Sequence, residues 1–284
     1  MKNGTATKAT TGKLEQFVAK AITSALRKQT KAKRKYTKKV STMDTAMSLH
    51  LNKTVALQLH PNKSFLRSDV GACIAKWVPK YAHIATLPAT MWLIEKYLHV
   101  LRPDLEIEGA ELNPRCFEAS CAEKPAYCRL VNADLADLIL NDYTYDKDGI
   151  ADTDTVNGRR SVLGAVWNDS MYTLDSRAKH IMQLAHMTLA EPGLYFSTYI
   201  SHDRCRGISN AQTRANMLAY AQRVYPDFKL IYIGSYIGHG HTPMTVYGWL
   251  KDSSGHEYRV TEHDFTETRG SISLPNGNRY KFSK

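Results

Sequence analysis

Residues 105–114 read Leu-Glu-Ile-Glu-Gly-Ala-Glu-Leu-Asn-Pro, a short strand that runs straight into a helix start. Asn113 suits an N-cap, and Pro114 suits the first helical position because its missing N–H would have no helical partner there. The same unit recurs on both sides. Upstream, a strand over 82–87 meets Pro88. A helix over 90–101 follows, with Met91, Ile94, Leu98 and Leu101 on one side, and Pro103 ends it. Downstream come a helix to about Glu123, a strand over 127–132, and a helix from Asp134 to about Leu140. After a break the rhythm resumes with 162–167 (VLGAVW), apolar throughout as a strand covered on both faces should be. A helix over 175–190, a Glu191-Pro192-Gly193 turn, a strand over 194–200 and a helix over 209–224 complete the alternation. Strands over 228–236 and 243–250 have no helix between them, so this last pair is expected to be antiparallel. A further helix over Arg67–Val78 precedes the first strand.

Strands alternating with helices of 10–15 residues imply parallel pairing. The expected fold class is therefore α/β: a doubly wound, mostly parallel, seven-stranded Rossmann-like sheet with a terminal antiparallel hairpin, plus a basic helical N-terminal arm. The expected organisation is an arm over 1–40, an α/β domain over 41–250 and a C-terminal β-hairpin extension over 251–284. Asn276-Gly277 is the hairpin's turn signal. Residues 141–160 carry five aspartates and few apolar groups, which reads as a mobile acidic surface loop inserted into the domain. The aspartate spacing does not match a calcium loop, because the glycine offset and the closing glutamate are wrong.

Of 284 residues, 43% are hydrophobic and 23% charged, a globular composition. No run of about 18 apolar residues exists, so no transmembrane segment is expected. No apolar signal-peptide core follows Met1, and the expected location is intracellular, cytoplasmic or nuclear. Five cysteines without a CxxC pair point to a reducing compartment. His239 and His241 have no evident third ligand nearby, so no metal site is expected.

The net charge of +11 is confined to one end. Residues 1–40 hold 12 of the 38 bases and one of the 27 acids, so the other 244 residues hold 26 of each and are neutral. Leu14, Phe17, Val18, Ala21, Ile22, Ala25 and Leu26 form one apolar helical stripe. Lys28, Lys31, Lys33, Arg34, Lys35, Lys38 and Lys39 then place seven bases within twelve positions. Such a run attracts polyanions and releases their counterions, so nucleic acid is the expected partner. An import signal, an organelle transit peptide, an anionic membrane surface, or a helix packed on the body with a solvated linker are the other readings of the same residues.

Over about residues 80–250 the pattern resembles the class I, S-adenosylmethionine-dependent methyltransferase fold. Leu105–Pro114 looks like that family's second strand, whose terminal acid grips the ribose hydroxyls, here Glu111. Asn132-Ala133-Asp134 looks like the end of its third strand, where an acid reaches the adenine amino group. Ala165–Asp169 looks like its fourth strand, and Ala190–Tyr195 is similar to its proline-glycine turn. The turn after the first strand, Thr86-Leu-Pro-Ala-Thr90, lacks the family's glycines, and Asn168-Asp-Ser-Met-Tyr172 lacks the prolines common in DNA amino-methylating enzymes. The resemblance implies S-adenosylmethionine as cofactor, Pro88, Ala89, Glu111 and Asp134 as its contacts, and Asn168 and Asp169 facing the acceptor. Glu95, one turn into the following helix, is placed to face the same pocket. Asp134 fits a helix N-cap equally well. The expected activity is methyl transfer to a nucleic acid. The alternatives are an inactive nucleic-acid-binding relative of the fold, and a methyltransferase for a protein or small molecule. The compact size and odd first-strand turn would suit a viral or mobile-element protein.

Overall fold

The computed structural model describes residues 61–88, 90–159, 161–172, 176–200, 210–237, 243–265, 271–273 and 279–281. The basic arm and its seven candidate cations, Ala89, Cys205, His239, His241 and the Asn276-Gly277 turn lie outside the described residues. The chain divides into two compact units, Asn62–Thr266 and Met1–Pro61 with Glu267–Lys284. In the second of these, β11 (Ser271–Ser273) and β12 (Arg279–Lys281) pair antiparallel.

The larger unit is built on one eight-stranded sheet. Its strands in chain order are β1 (His83–Thr86), β2 (Glu106–Ala110), β3 (Cys128–Val131), β6 (Leu163–Tyr172), β7 (Leu189–Ile200), β8 (Phe228–Ile237), β9 (Pro243–Lys251) and β10 (Thr261–Asp264). In space they run β3-β2-β1-β6-β7-β9-β8-β10. β9 alone is antiparallel to its neighbours, because β8 turns directly back into it. The expected five parallel strands and terminal antiparallel pair are present. An eighth strand was not foreseen: β10 extends the sheet beside β8 in parallel, within the segment read as hairpin extension.

Helices α1 (Pro61–Trp77), α2 (Leu93–Leu101) and α3 (Pro114–Glu123) cover one face, and α4 (Leu135–Leu140), α5 (Ser176–Thr188) and α6 (Asn210–Val224) the other. The period-two alternation of strands divides the core accordingly. Leu194 and Phe196 of β7 join Leu66, Ile74, Ile94 and Leu98 on the first face. Tyr195 and Tyr199 join Leu138, Ile181, Met182 and Met217 on the second. Trp92, Trp167 and Trp249 are buried core aromatics.

Residues 141–160 do not form the loop expected of them. β4 (Asn141–Tyr145) pairs antiparallel with β5 (Ala151–Gly158). Asp146 serves the turn: its Oδ1 accepts the N–H groups of Asp148 and Ile150, at 2.9 and 2.8 Å, and Gly149 takes φ 72°. Arg159 anchors the hairpin to the sheet. Its guanidinium donates to Glu108 of β2 at 2.9 Å and to the Leu138 carbonyl at 2.8 Å, with both charged side chains almost fully buried.

Candidate active site

β1 is the switch point of the sheet. The chain leaves it for β2 and β3 on one side and reaches β6 and β7 on the other, with helices on opposite faces. Ligands of such sheets bind in the crevice beyond the strand C-termini at this point. Thr86, the last residue of β1, pairs with Trp167 of β6, so Asn168 and Asp169 project past the end of β1.

The glycine-free turn after β1 reaches its path by two other means. Pro88 is buried against Gly109 of β2; a Cβ at position 109 would lie 2.6 Å from Pro88 Cγ. The glycine needed for close approach is thus in the neighbouring strand. Trp92, the N-cap of α2, holds φ 53°, the left-handed conformation usually left to glycine. That conformation costs about 1–2 kcal/mol for a residue with a Cβ. The fully buried ring, whose Nε1 donates to the Ser120 carbonyl at 3.0 Å, holds it in place.

Glu111 follows the last residue of β2 and is half-buried. Its Oε1 accepts the Asn113 N–H at 2.8 Å, and no second partner is found among the described residues. Burial pushes its carboxyl above the ordinary range, against the pull of that N–H. Leu112 beside it is 58% exposed, an apolar surface at the rim. Asp134 stands at the end of β3 as the N-cap of α4, accepting the Ala136 N–H at 3.0 Å, and its other oxygen pairs with Arg177.

On the other side of β1 lies a buried charge cluster. Asp169 pairs with Lys63 at 2.6 Å and accepts the Thr198 hydroxyl at 2.8 Å. Both of its oxygens are thus engaged within the protein. Asn168 is buried, its amide 3.4 Å from the Tyr195 hydroxyl. Arg67, one turn after Lys63 on α1, is also buried and feels the charges of both Asp169 and Glu95. Burial lowers the pKa of both cations, and Asp169 opposes it.

Glu95 in the first turn of α2 is fully buried. Neither carboxylate oxygen completes a hydrogen bond with a described residue. Burial pushes its carboxyl up to about 7, while the Thr86 hydroxyl, its own amide and the Arg67 charge pull it down. The hydroxyls of Thr86 and Thr90 are likewise buried without a completed hydrogen bond. Among the described residues, no group of three or more His, Cys, Asp or Glu side chains is placed to hold a metal.

Lys63 and Arg67 were not singled out from the sequence. The signal existed: Lys63, Leu66, Arg67, Val70 and Ile74 fall on one buried stripe of α1, so the two cations face inward with the apolar residues.

No family model matches the chain. No curated protein matches it either. Solved structures do. One is a Listeria monocytogenes protein assigned to the class I S-adenosylmethionine-dependent methyltransferases, at 12% identity and TM-score 0.48, covering 79% of this chain and 73% of that one. A second is the N-methyltransferase NodS from Bradyrhizobium japonicum WM9 with S-adenosyl-L-homocysteine, at 11% identity and TM-score 0.48, covering 73% and 97%. A third is the plantazolicin methyltransferase BpumL with a substrate analogue and S-adenosylhomocysteine, at 7% identity and TM-score 0.47, covering 74% and 93%. At these identities and TM-scores, activity has to be argued from the residues of this site. The doubly wound fold itself rests on the observed strand order.

Proposed function

We propose that the protein is an S-adenosylmethionine-dependent methyltransferase whose acceptor is a nucleic acid. The observation that carries the reading is Glu111: a half-buried carboxylate, pushed toward protonation by burial, at the open end of β2 beside the switch-point crevice. A ribose diol brings two hydroxyl donors and needs an acceptor of this kind. Pro88 and Ala89 would border the nucleoside, Leu112 would supply apolar surface for the base, and Asp134, held by its cap and Arg177, would flank it. When bound, the cofactor supplies an electrophilic methyl group. The protein's part is then to align donor and acceptor. Asn168 and Asp169 at the end of β6 would border the acceptor, and Lys63 and Thr198 would keep the Asp169 side chain fixed.

Calorimetric titration with S-adenosylmethionine tests the reading. Wild-type protein binds it. Glu111→Ala weakens binding about 10–100-fold, the range for hydrogen bonds to a charged acceptor. Absence of binding by wild type at millimolar cofactor would reject the proposal. It would favour a second reading, the same fold as a nucleic-acid binder without catalysis. The Thr86–Thr90 turn favours that alternative, since Pro88 removes a backbone donor there.

The nucleic-acid assignment rests on the concentration of the whole charge excess in residues 1–40. Deleting them is expected to reduce affinity for RNA or DNA and to flatten its salt dependence by about 0.7–0.9 in log–log slope per lost phosphate contact. Cofactor affinity stays unchanged. A truncated protein with full nucleic-acid affinity would contradict this assignment and favour a protein or small-molecule acceptor.

A further inference from the structure

α5 and α6 lie side by side on the second face of the sheet, where the Lys179 ammonium of α5 sits 5.0 Å from the centre of the Tyr220 ring of α6. The two helices span 13 and 15 residues and hold no Asp or Glu. The body's average of 26 acids in 244 residues would place about three in that length of chain. Each of the other four helices of the larger unit carries a carboxylate: Asp69 on α1, Glu95 on α2, Glu118 on α3 and Asp137 on α4. In a body without net charge, the α5–α6 pair is thus a local excess of cations. Arg177 and Arg214 are matched by Asp134 and Glu262. Lys179 and Arg223 have no carboxylate partner among the described residues.

The helix period sorts the rest of the seam. Ile181 and Met182 of α5 and Met217 and Ala221 of α6 are buried against the sheet. Gln212, Asn216, Tyr220 and Arg223 of α6 recur at i, i+4, i+8 and i+11, one outward stripe that Lys179 and Gln183 of α5 continue. Every polar side chain in this row can donate a hydrogen bond, and two are cationic. A row of donors without a carboxylate suits a chain of acceptor-only anions. A nucleic-acid strand presents such an anion at every nucleotide, and side chains of these types make most contacts to its backbone. The seam also has a direction. α5 follows β6, and Arg177 in its first turn meets Asp134 beside the crevice, so the row runs away from the crevice rim.

We infer that the outward seam between α5 and α6 holds the phosphodiester backbone of a nucleic-acid strand and leads it to the crevice. The inference rests on the nucleic-acid acceptor proposed above. It adds a contact on the folded body to the one expected of residues 1–40. Tyr220 holds Lys179 over its ring, and Lys179 and Arg223 supply the charge.

The test uses the full-length protein and a fluorescein-labelled single-stranded RNA, with anisotropy measured across a salt series. The double variant Lys179→Gln/Arg223→Gln is expected to bind about 3–10-fold more weakly at about 0.1 M salt. Its log–log salt slope is expected to be shallower by about 1.4, two phosphate contacts at about 0.7 each. Lys80→Gln removes an exposed cation at the opposite end of β1 and is expected to change neither quantity. Unchanged urea midpoints show that the variants are folded. An unaltered slope in the double variant, or an equal effect of Lys80→Gln, would overturn the seam and leave the nucleic-acid reading standing. Poly-glutamate that binds as tightly as RNA and responds equally to the double variant would make the seam a site for acidic protein, and would overturn the inference. Failure of wild type to bind the RNA at all would overturn the nucleic-acid reading itself, and the inference with it.

Discussion

Asp169→Asn is expected to destabilise the protein by about 3–5 kcal/mol, because it strands a buried ammonium beside a buried guanidinium. Lys63 is 5% exposed and Arg67 7% exposed, and Asp169 is the one anion ion-paired with Lys63 among the described residues. Breaking such a pair from one side costs far more than the pair contributes, since the remaining charge keeps its desolvation penalty. Urea unfolding of the single variants Asp169→Asn and Lys63→Met and of the double variant measures this directly. The double variant is expected to lose less than the two singles together by at least about 2 kcal/mol, because removing both partners removes the stranded charge as well. Additivity within about 0.5 kcal/mol would show that the two groups do not stabilise one another.

Glu95→Gln has the opposite expected sign in the ligand-free protein. Burial raises the carboxyl from 4.5 to about 7, so between those values the native state holds a proton that the unfolded chain has released. Stability contributed by this group is fully present below pH 4.5, falls as pH rises toward 7, and is gone above it. A tenfold change in a group's proton affinity is worth about 1.4 kcal/mol, so the loss is up to about 3 kcal/mol for a fully buried carboxyl. The glutamine variant has no proton to lose. Its stability should lack this decline and exceed that of the wild type at about pH 8, measured as the urea midpoint across about pH 4–8 with unchanged slope. Identical pH profiles for the two proteins would mean that the Glu95 carboxyl is solvated or already paired.

Most of the sheet was legible because its signals are local. Period-two and period-3.6 patterns, Pro103, Pro114 and Pro226, and the Asn113 and Asp134 caps mark where each element of the larger unit begins or ends. Glu111 was legible for the same reason: a carboxylate at the end of a parallel strand is a position on a known edge. Three things were not. The 141–160 hairpin is held by Arg159 reaching Glu108, a contact across 51 residues that no window of sequence displays. β10 has four exposed residues and no apolar alternation, so only its pairing with β8 identifies it as a strand. The Lys63–Asp169 pair joins residues 106 positions apart, one on the first helix and one on the fourth parallel strand.

Sequence alone determined the α/β alternation, the reversal of the β8–β9 pair, the acid at the end of β2 and the segregation of positive charge in the first forty residues. Each follows from composition or from periodicity within a few turns of chain. Tertiary structure alone decided which charges meet. Lys63 and Arg67 face inward only because α1 lies across the sheet, and Asp169 is neutralised only because β6 carries it under that helix. Glu95 becomes a buried, unpaired acid only because the turn after β1 folds onto Gly109 and draws α2 over the crevice. Charge pairing depends on a few ångströms of distance and on excluded water, and packing sets both.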